Sequence, residues 1–112
     1  MSETPLPYDV FVAVYTIVDE IHGPYAPSFD GAANVKRLEE RANLRGALFY
    51  AAGLLEDTSS GVDRDSWNDM YDAAFSAAAL YLGLGWFARI FLSWALKRAI
   101  TLLVDWYYTY RD

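Results

Sequence analysis

Four long stretches rich in apolar residues alternate along the chain with three short stretches rich in Gly, Pro, Ser or Asp. Within the long stretches, apolar residues recur at spacings of three and four, which is the period of an α-helix that buries one side. The pattern predicts helices at about 8–22, 32–56, 64–82 and 86–110. We therefore expect one all-α domain over residues 1–112, a compact bundle of three to four helices with a long, aromatic-rich C-terminal helix.

Turn and cap residues mark most of the predicted helix ends. Gly23 and Pro24 stop the first helix, and Ser28 or Asp30 can cap the start of the second. The short run 83–85 contains two glycines but no proline, so it predicts either a break or a bend. The sequence leaves open whether the last two helices are separate.

Small residues and arginines share the second predicted helix. Ala42, Gly46 and Gly53 lie on one face, where they would allow a neighbouring helix to approach closely. Three arginines repeat every four residues on adjacent turns, and they are Arg37, Arg41 and Arg45.

The arginine repeat has three interpretations. A solvated charged face is the plainest one, because exposed charges on helices usually contribute little. Docking on carboxylates elsewhere is the sharper hypothesis, and it would let charge set register or partner choice. Phosphate binding is disfavoured by the acidic surroundings. The best internal carboxylates for docking repeat at nearly the same pitch, and they are Asp65, Asp69 and Asp72.

The fourth predicted helix is apolar on most sides. Its polar residues form a single narrow stripe, made of Arg89, Ser93, Lys97, Thr101 and Asp105. A helix with so narrow a polar stripe is buried on most sides, and its own chain can cover only some of them. Large aromatic side chains are typical anchors of interfaces. We therefore expect this helix to contact partner proteins through Trp86, Phe91, Trp94, Trp106 and Tyr107.

Composition supports the same expectation. Hydrophobic residues make up 54% of the 112 residues and aromatic residues 17%. A chain of this length cannot bury that much apolar surface in itself, so a partner, a second copy or lipid must cover the surplus. The net charge of −6 disfavours nucleic-acid binding. Charge also alternates along the chain, which can hold helices together or join copies head to tail.

A membrane-embedded or membrane-associated subunit is the alternative. Residues 73–96 contain one charged residue, Arg89, and are numerous enough to span a bilayer. Against this span, an arginine near a helix centre costs about 2 to 3 kcal/mol. The fourth helix could also lie flat on a bilayer surface. The acidic N-terminus lacks the basic residues of a cleaved secretory signal, so we expect none. A soluble assembly is the favoured interpretation, and the cellular compartment is left open.

Catalytic, cofactor and metal motifs are not apparent. The chain has no Cys, and its one histidine, His22, follows Asp19 by three residues. That spacing is half of a bundle-type metal site, but no second pair accompanies it. No turn of the kind that presents a catalytic serine and no phosphate-binding glycine loop is present. We therefore expect a non-enzymatic structural or adaptor subunit without cofactors, which makes protein–protein contacts in a larger oligomeric assembly, as a homo-oligomer or as a component of a complex.

Overall fold

The structure of the chain is a computed structural model that describes residues 8–23, 30–56 and 67–111. These residues form four α-helices: α1 at Tyr8–His22, α2 at Gly31–Glu56, α3 at Trp67–Tyr81 and α4 at Trp86–Trp106. A π-helical turn, Tyr107–Arg111, continues α4. The predicted all-α bundle is confirmed, and the helix bounds agree closely with the sequence pattern. The predicted start of the third helix, 64–66, lies outside the described residues.

Local chemistry explains two of these boundaries. The Asp30 side chain accepts hydrogen bonds from the backbone N–H groups of Ala32 (3.0 Å) and Ala33 (3.3 Å), which caps α2 as predicted. At the end of α3, Gly83 adopts a φ of +62°. The N–H of Leu84 then bonds to the carbonyl of Ala79 at 3.3 Å, the bond of a glycine-terminated helix end. Helices α3 and α4 are therefore separate.

Helices α2 and α4 form the centre of the bundle. They pack against each other, and α1 and α3 each pack against both. Lys36, near the start of α2, lies by Phe91 near the start of α4. At the other end, the Tyr107 hydroxyl bonds to Glu56. The two central helices therefore run in the same direction.

Helix α1 runs antiparallel to α2. The Phe11 and Phe49 rings lie 4.9 Å apart. Asp19, which is later in α1 than Phe11, contacts Arg41, which is earlier in α2 than Phe49. The buried face of α1 consists of Val10, Ala13, Val14, Ile17 and Val18. The opposite side of α1 carries Phe11, Val12 and Tyr15 and is exposed.

The core is made of aliphatic and small side chains. From α2 it contains Leu44, Ala47, Leu48, Ala51 and Ala52. The predicted close-approach face of α2 is only partly used: Ala42, Gly46 and Gly53 are all exposed, but a Cβ atom on Gly46 would meet the Leu82 side chain at 3.5 Å. A Cβ atom on Gly53 would meet nothing within 4 Å. The side of α2 that carries the leucines packs inward instead.

The predicted membrane span is not one helix. Residues 73–96 are divided between α3 and α4 by the glycine-terminated turn at 82–85. Within the described part of the chain, no helix has both the length and the apolar character needed to cross a bilayer.

Candidate functional site

A cluster of exposed apolar side chains lies around the α3–α4 connection. Trp94 is 75% exposed and Trp86 is 69% exposed, values that are unusual for such large rings. Single exposed hydrophobic residues are common on proteins, but a contiguous run of them marks an interaction surface. We call this run the aromatic surface, and it consists of Leu80, Tyr81, Leu82, Trp86, Phe87, Ile90, Phe91 and Trp94.

The helical period of α4 explains why these rings face outward. The buried residues of α4 are Leu92, Ala95, Leu96, Ala99, Ile100, Leu103 and Val104. They follow the spacing of three and four that places one face against α2 and its neighbours. Residues 86, 87, 90, 91 and 94 fall on the other side of the same helix. In its first half, α4 is therefore apolar on both sides, and only one side is covered by the chain itself.

The predicted polar stripe of α4 is only partly its solvent-facing side. Ser93 is half-buried, and its hydroxyl forms a hydrogen bond of 2.8 Å with the Tyr71 hydroxyl of α3. Thr101 donates to the carbonyl of Lys97, within its own helix. One member of the stripe thus joins α4 to α3. In the first half of the helix, aromatic residues occupy most of the exposed side.

The aromatic surface is bordered by positive charge. Arg89, Lys97 and Arg98 are exposed on α4. The sequence contains no acidic residue between Asp72 and Asp105. The Arg89 Nε donates to the carbonyl of Leu84 at 3.2 Å, which ties its stem to the α3–α4 connection. Positive residues therefore border the α4 side of this surface, in a protein whose net charge is −6.

A cleft of about 540 Å³ separates the aromatic surface from the first half of α2. Phe87, Phe91 and Trp94 line the α4 side of this cleft, and charged residues of α2 line the other side. Lys36 extends across it, with its Nζ 5.6 Å from the centre of the Phe91 ring. This cation–π contact joins α2 to α4 across the cleft.

His22 lies at the end of this cleft. Loss of solvent around the ring is the main cause that lowers its pKa below 6.5, and Arg41 acts in the same direction. The carboxylate of Glu40 opposes the shift. The surroundings of His22 therefore favour the neutral imidazole over the charged one.

The three arginines of α2 have different environments. Arg41 is nearly buried, with 12% of its side chain exposed, and it pairs with Asp19. Its guanidinium also donates to the carbonyl of Gly23 at 2.6 Å. Among the described residues, the carboxylate that Arg41 contacts is therefore Asp19 of α1, and the role of Arg41 in partner contact stays a prediction.

The other two arginines do not share the Arg41 environment. Arg45 is half-buried, and its guanidinium lies 5.3 Å from the centre of the Tyr15 ring. Arg37 is exposed. The regular spacing of the three residues therefore does not give them one role. Of the acids predicted to receive the repeat, Asp69 and Asp72 are exposed on α3, and Asp65 lies outside the described residues.

The two aromatic residues at the end of α4 are less exposed than those at its start. Tyr107 is 9% exposed and its hydroxyl donates to Glu56 at 2.7 Å, so its ring belongs to the core. The contact of Tyr107 with a partner stays a prediction. Trp106 is half-buried against the core and lines a shallow groove beside α1. Trp86, Phe91 and Trp94 are exposed, as a role in partner contact requires.

Sequence reasoning missed several members of the aromatic surface. Leu80, Tyr81 and Leu82 are exposed at the end of α3, next to the turn. Phe87 and Ile90 are the remaining exposed apolar residues of α4. The sequence does contain a feature that indicates these residues: an apolar stretch without charged residues, 73–88, continues through the glycines at 83 and 85. A turn exposes the residues beside it, since neighbouring helices cannot cover both its sides.

The described residues do not offer a metal centre. No group of three His, Cys, Asp or Glu side chains within 8–23, 30–56 and 67–111 could hold an ion. The sequence places Asp19 three residues before His22, which is half of a bundle-type metal site, but the Asp19 carboxylate pairs with Arg41.

Comparison of the chain with protein-family models, with curated proteins and with solved structures found no match.

Proposed function

We propose that the chain is a non-enzymatic structural or adaptor subunit, whose aromatic surface packs against a protein neighbour in an oligomeric assembly. One observation carries the proposal: eight large apolar side chains around the α3–α4 turn are between 46% and 80% exposed. Leaving so much contiguous apolar surface in water is unfavourable. Contact with another protein surface removes that cost.

The chemistry of the surface suits a protein interface. Trp, Tyr and Phe are enriched where interfaces gain most of their free energy, and Arg is enriched beside them. Here Trp86 and Trp94 protrude from a rigid helix, so little conformational freedom is lost when they are covered. Positive residues border the rings, and charged borders favour correct partners and fast association.

Association with a membrane surface is the second candidate. Tryptophan and phenylalanine beside arginine and lysine are also typical of helices that lie in the headgroup region of a bilayer. The exposed Trp86, Phe87, Arg89 and Lys97 fit that description. The acidic residues of α1 disfavour it, because anionic lipids would repel them.

Native mass tests the proposal. We expect the chain to form a discrete particle larger than 12.7 kDa in detergent-free buffer, as measured by light scattering. The variant Trp86→Ser/Trp94→Ser should dissociate it, while circular dichroism and thermal unfolding stay close to those of the wild type. Exposed residues of α2 supply a matched control, since Leu38 is 50% and Tyr50 44% exposed. The variant Leu38→Ser/Tyr50→Ser should keep the wild-type mass.

Two results would count against a protein interface. Equal masses for the wild type and the tryptophan variant would show that the aromatic surface is not the contact. The membrane-surface candidate would instead be supported by a wild-type chain that is a 12.7 kDa monomer and sediments with vesicles of anionic lipid. In that case the tryptophan variant should no longer sediment with the vesicles.

A further inference from the structure

A second exposed surface lies between α1 and the end of α4. It is a shallow groove of about 480 Å³, and we call it the α1–α4 groove. Its lining includes Tyr8, Asp9, Val12, Glu20 and Trp106. Tyr8 is 83% exposed and Val12 is 46% exposed. The groove therefore has apolar walls that nothing in the described chain covers.

The groove carries the opposite charge to the α4 side of the aromatic surface. Helix α1 contains three acidic residues and no Lys or Arg. Asp9 and Glu20 line the groove. On the α4 side of the aromatic surface the bordering charges are Arg89, Lys97 and Arg98, while Glu39 and Glu40 of α2 lie across the cleft. The two surfaces are thus both apolar, and the charges of the groove are complementary to those on the α4 side.

One molecule cannot bring these surfaces together. Both lie along α4, with the aromatic rings from Trp86 to Trp94 near its start and the groove at Trp106 near its end. At a rise of about 1.5 Å per residue, Trp106 lies about 18 Å along the helix from Trp94 and about 30 Å from Trp86. Only a second molecule can therefore cover either surface with the other.

We propose that the aromatic surface of one copy packs into the α1–α4 groove of a second copy. This inference rests on the proposed function and names its partner as the same chain. Trp86 and Trp94 would pack against the apolar groove, while Arg98 would face Glu20. Because the two contacting surfaces differ, each copy keeps one surface free, and copies join head to tail into a closed ring or an open filament.

A mixing experiment separates this arrangement from a symmetric dimer. The variant Trp86→Ser/Trp94→Ser loses only the aromatic surface, and Val12→Lys/Glu20→Lys loses only the groove. Both replaced groove residues are exposed, so the fold of α1 should be retained. Each variant alone should be a 12.7 kDa monomer by light scattering. An equimolar mixture should form a particle of two chains that does not grow further, because each variant contributes one intact surface.

Two outcomes would overturn the inference. If the groove variant keeps the wild-type mass while the tryptophan variant dissociates, the proposed function stands but its partner surface is elsewhere. If both variants are monomers and their mixture stays monomeric, the two surfaces do not pair. Unchanged circular dichroism and thermal unfolding must accompany either result.

If the paired substitutions unfold the chain, exchanging the charges of Glu20 and Arg98 provides a second test with fewer changes to the surface. Glu20→Lys and Arg98→Glu should each raise the dissociation constant roughly tenfold at low salt, because each places like charges across the contact. The chain that carries both replacements should return to within about threefold of the wild type. Additive weakening in the double variant would show that these two residues do not face each other.

Discussion

At the scale of single residues, equal spacing in the sequence did not mean equal roles. Arg37, Arg41 and Arg45 recur every four residues, yet Arg41 is nearly buried and Arg37 is exposed. The sequence could place them on one helix and one face. It could not show that α1 ends beside Arg41, because that contact joins residues 22 positions apart.

Arg41 should stabilise the fold by fixing the end of α1 to α2. Its guanidinium serves both the Gly23 carbonyl and the Asp19 carboxylate, so Arg41→Met should lower the free energy of unfolding by about 1 to 3 kcal/mol. Asp19 is half-exposed, and Asp19→Asn should cost less, about 1 kcal/mol or below.

Urea unfolding followed by circular dichroism measures both changes. Arg37→Met is the matched control, because it removes an exposed arginine from the same face of α2, and it should shift stability by less than about 0.5 kcal/mol. Equal losses for Arg37→Met and Arg41→Met would show that the contacts of Arg41 have no special weight.

His22 should make stability depend on pH in the acidic range. Its pKa in the folded chain lies below 6.5, so the unfolded chain binds the proton more readily. The contribution of His22 to the free energy of unfolding should therefore be constant above about pH 7 and fall as the pH drops through 6.5. Glu40 reduces the effect and Arg41 increases it.

Thermal unfolding between pH 7.5 and pH 5 tests the effect of His22. His22→Gln should remove part of the loss, and Glu40→Gln should enlarge the loss in the chain that keeps His22, since the carboxylate that favours the charged ring is gone. Identical pH profiles for His22→Gln and the wild type would contradict the lowered pKa.

At the scale of helices, the sequence predicted existence and bounds well but predicted the packed faces less well. Period, capping residues and glycines are local signals, which is why α1, α2 and α4 begin or end within a residue or two of their predicted positions. The buried side of α2 depends on where α1 and α3 lie. On the predicted glycine face, Gly46 lies beside Leu82 just after α3, whereas a Cβ atom on Gly53 would meet nothing within 4 Å.

The turn between α3 and α4 should depend on Gly83. Its φ of +62° is unfavourable for any residue with a Cβ atom, so Gly83→Ala should lower the free energy of unfolding by about 1 kcal/mol even though the added atom meets nothing within 4 Å. Gly53→Ala is the matched control within a helix. It should raise stability by about 0.5 to 1 kcal/mol, because alanine favours helix.

Chemical denaturation of both glycine variants checks the prediction. Equal effects of the two substitutions would show that backbone conformation at the turn has no influence. Disruption of the turn should also lower the native mass of the assembly, since Leu82 and Trp86 on either side of Gly83 both belong to the aromatic surface.

At the scale of the whole molecule, composition predicted an apolar surplus but not its location. Apolar residues occupy most sides of α4, and the sequence alone does not show which side its neighbours cover. In the fold, Tyr107 is buried and Trp106 is half-buried, whereas Trp86 and Trp94 remain exposed. The predicted partner contacts are thereby divided into core residues and surface residues.

The most direct test of the central claim is the native mass of the wild-type chain in detergent-free buffer over a range of concentrations. Light scattering should show a particle that contains several 12.7 kDa chains, and tryptophan fluorescence should shift to shorter wavelength as Trp86 and Trp94 become covered. A 12.7 kDa monomer at every concentration, with unshifted tryptophan emission, would contradict burial of the aromatic surface between copies of the chain.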